Sequence, residues 1–154
     1  MYFAIVFCLM LIAPVGAIVI EHSLLHSAAP LMALVGKWFV FWAAGVRLAL
    51  AGLRQYFDPR FTAEQIFDIH NDDALPLVRE LGIANFAVGT VGILSLLRPD
   101  FVLPSAIVAA IFYGVAGFRH AAQPTRNTKE TFAMATDLFA SVVLAAYSVF
   151  ALSQ

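Results

Sequence analysis

The sequence predicts an all-α integral membrane bundle of five transmembrane helices, with a short interfacial helix in the second loop. Hydrophobic residues make up 62% of the 154 residues and charged residues only 12%, whereas soluble domains carry about 25% charged residues. A soluble protein of this size has too much surface to cover with so few polar side chains. Lipid is therefore the expected solvent for much of the exterior.

Five apolar runs support the count of five helices. They are Phe3–Ile20, Leu31–Leu53, Leu81–Leu97, Phe101–Phe118 and Phe132–Ser153. The charges inside them are Lys37 and Arg47 in the second run and Asp137 in the fifth. About 20 residues at 1.5 Å per residue cross a hydrocarbon layer of roughly 30 Å. Backbone groups in lipid must bond one another, and runs of this length do so as helices.

The domain organisation follows from these runs. Residues 1–154 are expected to form a single transmembrane domain, with an N-terminal helix over residues 3–20 and a four-helix bundle over residues 31–153. The first run follows no basic residue and precedes no Ala-x-Ala site, so it is expected to stay in the protein as a helix. Pro14 predicts a kink in it.

The loops carry local signals of their own. Thr62 followed by Gln65 matches a capping box, and the stretch Ala63–Ile69 is expected to form the short helix on the membrane surface. Arg98–Asp100, with proline at its centre, predicts a tight turn that joins the third and fourth spans as an antiparallel hairpin.

Loop charges predict the orientation. With five spans, six basic residues fall on the side of the N-terminus and two, Lys37 and Arg98, on the other side. The six are Arg54, Arg60, Arg79, Arg119, Arg126 and Lys129. Basic residues favour the cytoplasm, so we expect a multi-pass protein of the bacterial inner membrane with a cytoplasmic N-terminus.

Polar residues inside the spans are the candidates for a site. Arg47 and Asp137 lie several residues from the nearest span ends, and Glu80, Asn85 and His120 fall in the same half of the membrane. A charge in hydrocarbon is costly unless it is paired or hydrated, so Arg47 and Asp137 are expected to face each other inside the bundle. The group forms either a clamp that fixes helix register or the lining of a pocket.

Glycines recur on two spans. Small residues that permit close helix packing are Gly82, Gly89 and Gly92 on the third span and Ala110, Gly114 and Gly117 on the fourth. Gly114 and Gly117 on the fourth span have two interpretations. They serve helix packing or form the wall against which a flat, lipid-soluble ligand lies.

The sequence does not indicate several common functional classes. The net charge of −1 provides no basic field for nucleic acid. His22 and His26 are four residues apart but lack a zinc motif, so no metal site is predicted. The single cysteine, Cys8, is expected to be an apolar filler. No nucleophile elbow or phosphate loop occurs, so no catalytic residue is assigned and whether the protein is an enzyme stays open.

A wider pattern runs through the chain. Gly45-Val-Arg47 and Gly52-Leu-Arg54 lead into Pro59–Phe67, Arg79–Asn85 and Phe112–Gly117, with His120 following. This pattern resembles an uncharacterised family of small bacterial multi-pass membrane proteins and, more remotely, the DoxX-like four-helix group with an added N-terminal helix. DoxX-like proteins include a small subunit of a membrane oxidoreductase that passes electrons to quinone. The residues that match the nearer family are Arg47, Arg54, Arg79, Glu80, Asn85 and His120, and the resemblance implies no catalytic role for them.

Three functions remain open on the sequence alone. The first is a non-catalytic accessory or hydrophobic-ligand-binding protein, with a quinone or a lipid as ligand and no resident cofactor. The others are a small transporter that uses Arg47 and Asp137, and an enzyme that modifies a lipid or quinone. Expected partners are the bilayer and either another membrane protein or further copies of the chain. A ligand site requires a cavity bounded by spans two to five and lined by these polar residues.

Overall fold

The computed structural model describes residues 1–154 as an all-helical bundle without strands. Its five long helices are α1 (Tyr2–Leu24), α2 (Leu31–Phe57), α4 (Asp72–Leu94), α5 (Pro99–Ala121) and α6 (Thr128–Leu152), and the short α3 is Pro59–Gln65. Each long helix is long and apolar enough to cross a membrane. The five apolar helices predicted from the sequence are confirmed, and they indicate a multi-pass membrane protein.

Successive long helices run in opposite directions, so the bundle has two ends. The Met1 end carries the N-terminus, α3 and the connection between α5 and α6, and the Gln154 end carries the C-terminus.

The helices extend beyond the apolar runs from which they were predicted. The clearest case is α4, which begins at Asp72 and ends at Leu94, whereas its apolar run covers Leu81–Leu97. The Asn71 side chain caps its start by accepting a 3.0 Å hydrogen bond from the Asp73 amide. Polar residues are tolerated in such a first turn because water reaches it.

The backbone of α1 is irregular before Pro14. The turns over Cys8–Ile12 are π-helical, and ordinary α-helix resumes at Ala13. Proline has no N–H, so it cannot bond the carbonyl four residues back, and its ring crowds that carbonyl. A wider turn at this point accommodates the ring.

A seam of glycines joins α2 to α4. A Cβ atom on Gly45 would lie 2.8 Å from the backbone of Gly92, and one on Gly82 would lie 2.8 Å from the carbonyl oxygen of Gly52. The two backbones are therefore in direct contact, which only glycine allows.

The partner of α4 differs from the sequence-based expectation. Pro99–Phe101 does form a tight turn between α4 and α5, but the two helices make few contacts with each other. Instead α4 packs on α2, and α5 packs on α6. The small-residue face of α4 is occupied by α2, so the expected hairpin is not a packing unit.

The apolar core lies between α2, α5 and α6 in the half toward the Gln154 end. Small side chains dominate it, and its members include Val40, Ala43, Ala44, Ala106, Ala109, Ala140 and Leu144. In this half α1 also packs on α2, and α5 contacts α2 over Val40–Val46. Toward the Met1 end α1 and α5 both diverge from α2 and leave a space.

The short helix α3 lies across the Met1 end of that space. It covers Pro59–Gln65 rather than the expected Ala63–Ile69, because Pro59 has the backbone angle suited to a first helical position. Lys129 Nζ donates a 2.6 Å hydrogen bond to Gln65 Oε1, which joins α3 to α6. Hydrogen bonds to Asp72 and Glu64 raise the pKa of Arg60 above its ordinary value, so Arg60 is a permanent cation at this end.

Candidate functional site

A cavity of about 330 Å³ occupies the half of the bundle toward the Met1 end. All five long helices and α3 contribute to its lining, and 14 of the 21 lining residues are hydrophobic. Its volume lies at the lower end of the range for small-molecule sites, which are concave, mostly apolar and equipped with a few polar groups. The cavity thus has the size and the apolar lining of small-molecule sites, and its polar groups lie at two levels.

The deep level holds an ion pair. Arg47 Nη2 donates a 2.9 Å hydrogen bond to Asp137 Oδ1, and the two side chains are only 13% and 8% exposed. The pair predicted from the sequence is confirmed. The Arg47 guanidinium also lies 5.0 Å from the centre of the Tyr113 ring, whose electron-rich face attracts a cation. Arg47 Nε is buried without a hydrogen-bond partner.

The middle level is apolar. Val6, Ala51 and Ala116 line it, each from a different helix. Ile5 of α1 and Leu50 of α2 line the same level but are 44% and 49% exposed, so they form a rim. The cavity therefore opens sideways between α1 and α2, where these helices have separated.

The shallow level lies beside α3 and is rich in hydrogen-bond donors. Tyr2, Arg54, Gln55, Thr62 and His120 line it. The side chain of Arg54 is 42% exposed, and its guanidinium lies 3.5 Å from the centre of the Phe61 ring. Gln55 is buried and accepts a 2.8 Å hydrogen bond from Asn85, which connects α2 to α4.

His120 is held in place from several sides. Its Nδ1 lies 2.9 Å from Glu130 Oε1, and both side chains are buried. The Phe67 ring stacks on the imidazole with ring centres 6.1 Å apart. Arg126 Nη1 donates to the His120 carbonyl oxygen at 3.0 Å. One wall of the cavity thus has a titratable group with a fixed orientation.

The structure brings five of the seven residues expected to form the site together at the cavity. Arg47, Arg54, Asn85, His120 and Asp137 all line the cavity. Arg79 and Glu80 do not, and both are exposed on the outside of α4. The face of α4 that packs on α2 carries Val78, Gly82, Asn85, Gly89 and Gly92. At 3.6 residues per turn, residues 79 and 80 point away from that face.

Of the two interpretations that the sequence left open for Gly114 and Gly117, the structure supports helix packing. A Cβ on Gly114 would lie 2.8 Å from Ser141 Oγ, and one on Gly117 would lie 2.7 Å from the Leu138 side chain. Both glycines therefore face α6. On α5 it is Phe112, Ala116 and His120 that line the cavity.

Sequence reasoning missed several residues of the site. Tyr2 belongs to a helix that was expected to be an addition to the bundle, and Gln55 and Thr62 lie near or beyond the end of an apolar run. One signal for Glu130 was available, because Asn127 and Glu130 have capping-box spacing. Asn127 Oδ1 does accept a 2.9 Å hydrogen bond from the Glu130 amide. The Glu130 carboxylate, however, lies against His120.

A second polar cluster lies at the Gln154 end. Glu21 accepts a 2.7 Å bond from Lys37 Nζ and another from Trp38 Nε1. It fixes α1 against α2 at the end where these helices are close together. His22 and His26 are exposed and take no part in it. No group of three or more metal-ligating side chains occurs in the protein.

Comparison with known proteins identifies the family of the chain. Residues 1–153 match the model of a family of unknown function, DUF6790, and the chain belongs to that family. No curated protein and no solved structure matches the chain.

Proposed function

We propose that this DUF6790 protein is a multi-pass protein of the bacterial inner membrane that holds a hydrophobic ligand with a polar head in its cavity. The ligand class is a lipid or quinone, and the role is that of a non-catalytic accessory or ligand-binding protein. The observation that carries the proposal is the 330 Å³ cavity, which combines an apolar middle with polar groups at two levels.

The lateral opening supports a ligand that comes from the membrane. Its rim consists of Ile5 and Leu50, which are half-exposed apolar side chains on helices of membrane-spanning length. A hydrocarbon chain passing between α1 and α2 would remain in an apolar environment along its whole path.

The closed half of the bundle favours holding a ligand over passing it through. Beyond Arg47 the core residues Ala43, Ala44 and Leu144 are at most 1% exposed. The Tyr113 hydroxyl donates to the Ala43 carbonyl across this region. The cavity therefore ends against packed side chains rather than continuing to the Gln154 end.

The charge distribution supports a cytoplasmic Met1 end. Arg60, Arg126 and Lys129 are all found there, and Lys37 at the other end is paired with Glu21. Basic residues are retained on the cytoplasmic side of membrane proteins. The shallow level of the cavity would then lie near the cytoplasmic headgroups.

A cavity-filling variant tests the proposal. Native mass spectrometry of the protein extracted in lipid nanodiscs should detect a bound small molecule on the wild type. Ala51→Phe places a ring in the middle level and should abolish it, whereas Ala87→Phe, on an exposed face of α4, should not. A ligand-free wild type, or equal occupancy in folded Ala51→Phe, would refute the proposal.

A further inference from the structure

The shallow level of the cavity contains more hydrogen-bond donors than the protein uses. The Tyr2 hydroxyl, the Gln55 amide nitrogen and the Thr62 hydroxyl donate no hydrogen bond, although all three residues line the cavity. Gln55 and Thr62 are 8% and 7% exposed. The three donor atoms are not sealed from solvent, so water can accept their hydrogen bonds in an empty cavity, and an acceptor-rich group is the occupant that can replace this water.

Of the two arginines that line the cavity, only Arg54 has no acidic partner within the lining. Arg47 and Asp137 neutralise each other at the deep level. Arg54 has only Asp58 as an acidic neighbour, at 3.7 Å and with that side chain 58% exposed to solvent. Asp58 does not line the cavity. Within the cavity itself Arg54 is therefore a cation without a counter-ion.

The apolar middle level and its opening define the rest of the ligand. Arg47 and Arg54 are seven residues apart on α2, which is about 10 Å along a helix. The Ile5 and Leu50 rim lies between these two levels. A chain attached to a head at Arg54 can pass Ala51 and leave between Ile5 and Leu50.

We infer that the ligand is a single-chain amphiphile with a carboxylate head, of the long-chain fatty acid class, and this inference rests on the proposed function. The head lies at Arg54 with Tyr2, Gln55 and Thr62 as further donors, and the chain leaves between α1 and α2. A carboxylate bears one negative charge and matches this one arginine, whereas a phosphate monoester tends toward two. Arginine donors match carboxylate oxygens in a two-pronged geometry.

Photolabelling with matched competitors tests the inference. The protein, in nanodiscs of zwitterionic lipid at alkaline pH, is labelled by palmitate carrying a diazirine on its chain, and labelled peptides are identified by mass spectrometry. Label is expected on the peptides that contain Ile5 and Leu50. Palmitate should displace it at about a tenth or less of the concentration that hexadecanol requires, as expected for a charge-assisted hydrogen bond.

Two arginine variants locate the head. Arg54→Gln should reduce the advantage of palmitate over hexadecanol to near unity. Arg98→Gln, an exposed arginine at the other end of the bundle, should leave that advantage unchanged. Because the competitor ratio is also measured on the wild type, the inference remains testable even if Arg54→Gln misfolds.

The outcomes distinguish the inference from the proposed function. Equal displacement by hexadecanol and palmitate, with labelling lost in Ala51→Phe, would overturn the carboxylate head and keep a ligand in the cavity. Stronger displacement by hexadecyl phosphate would replace the carboxylate with a phosphate. Labelling that is absent from these peptides, or unchanged in Ala51→Phe, would overturn the proposed function as well.

Discussion

Removing the arginine of the deep ion pair is expected to destabilise the protein. In the Arg47→Ala variant the carboxylate of Asp137 loses the one charged partner within hydrogen-bond distance. Asp137 is only 8% exposed, so water replaces that partner poorly. An unpaired buried polar group costs about 1–3 kcal/mol after relaxation. We expect the free energy of unfolding to fall by that amount.

The double variant is expected to be more stable than Arg47→Ala alone. Adding Asp137→Asn to Arg47→Ala removes the uncompensated charge, so part of the lost stability should return. The measurement is the free energy of unfolding of wild type, both single variants and the double variant, by denaturant titration in one detergent. Contacting residues give coupling energies of about 0.5–3 kcal/mol in such cycles. Effects of the two substitutions that simply add would show that the pair does not contribute as a unit.

The glycine seam and the membrane topology can each be tested by substitution or by reporter fusion. Gly92→Ala places a Cβ 2.7 Å from Gly45 Cα and should lower the free energy of unfolding by about 1–3 kcal/mol, whereas Gly16→Ala, with open space around it, should cause no loss in the same titration. For the topology, alkaline phosphatase should be active when fused after Gln154 and inactive when inserted within 68–73. The reverse activities would invert the proposed orientation, and equal activities would contradict an odd number of crossings.

The sequence was sufficient for the helices and for the ion pair, for the same physical reason. A membrane-spanning helix needs an apolar run of a certain length, and that run is visible without any tertiary information. Arg47 and Asp137 are the most deeply placed opposite charges in two such runs, and a low-dielectric interior requires them to meet. Both inferences depend on solvation alone.

Solvation alone did not predict which side of α4 faces the interior of the bundle. Glu80 and Asn85 lie five residues apart on this helix, yet only Asn85 reaches the cavity. The helix is apolar around most of its circumference, so hydrophobic periodicity does not indicate which side faces the bundle. Its orientation is determined by contact of its glycines with α2, and that contact depends on where α2 lies.

The positions of α1 and α3 as walls of the cavity could not be predicted from the sequence either. Both contribute through contacts between distant segments, such as the aromatic contact of Tyr2 with Phe61, whose ring centres are 5.8 Å apart. No local pattern encodes which helix a terminal segment approaches. Without these two elements the cavity would be an open groove bounded by spans two to five.

The helix pairs explain why one half of the bundle is open. The glycine seam fixes α2 to α4, and Gly114 and Gly117 allow α5 to approach α6 closely, so the chain contains two tightly joined pairs. The pairs meet through the alanine-rich core near the Gln154 end, and Glu21 fixes α1 to α2 at that same end. Toward the Met1 end the pairs are connected by longer polar side chains, such as Arg47 to Asp137, rather than by small residues, so space remains between them. The cavity therefore lies between the two pairs rather than within either one, and the Arg47–Asp137 ion pair connects the pairs at its deep level.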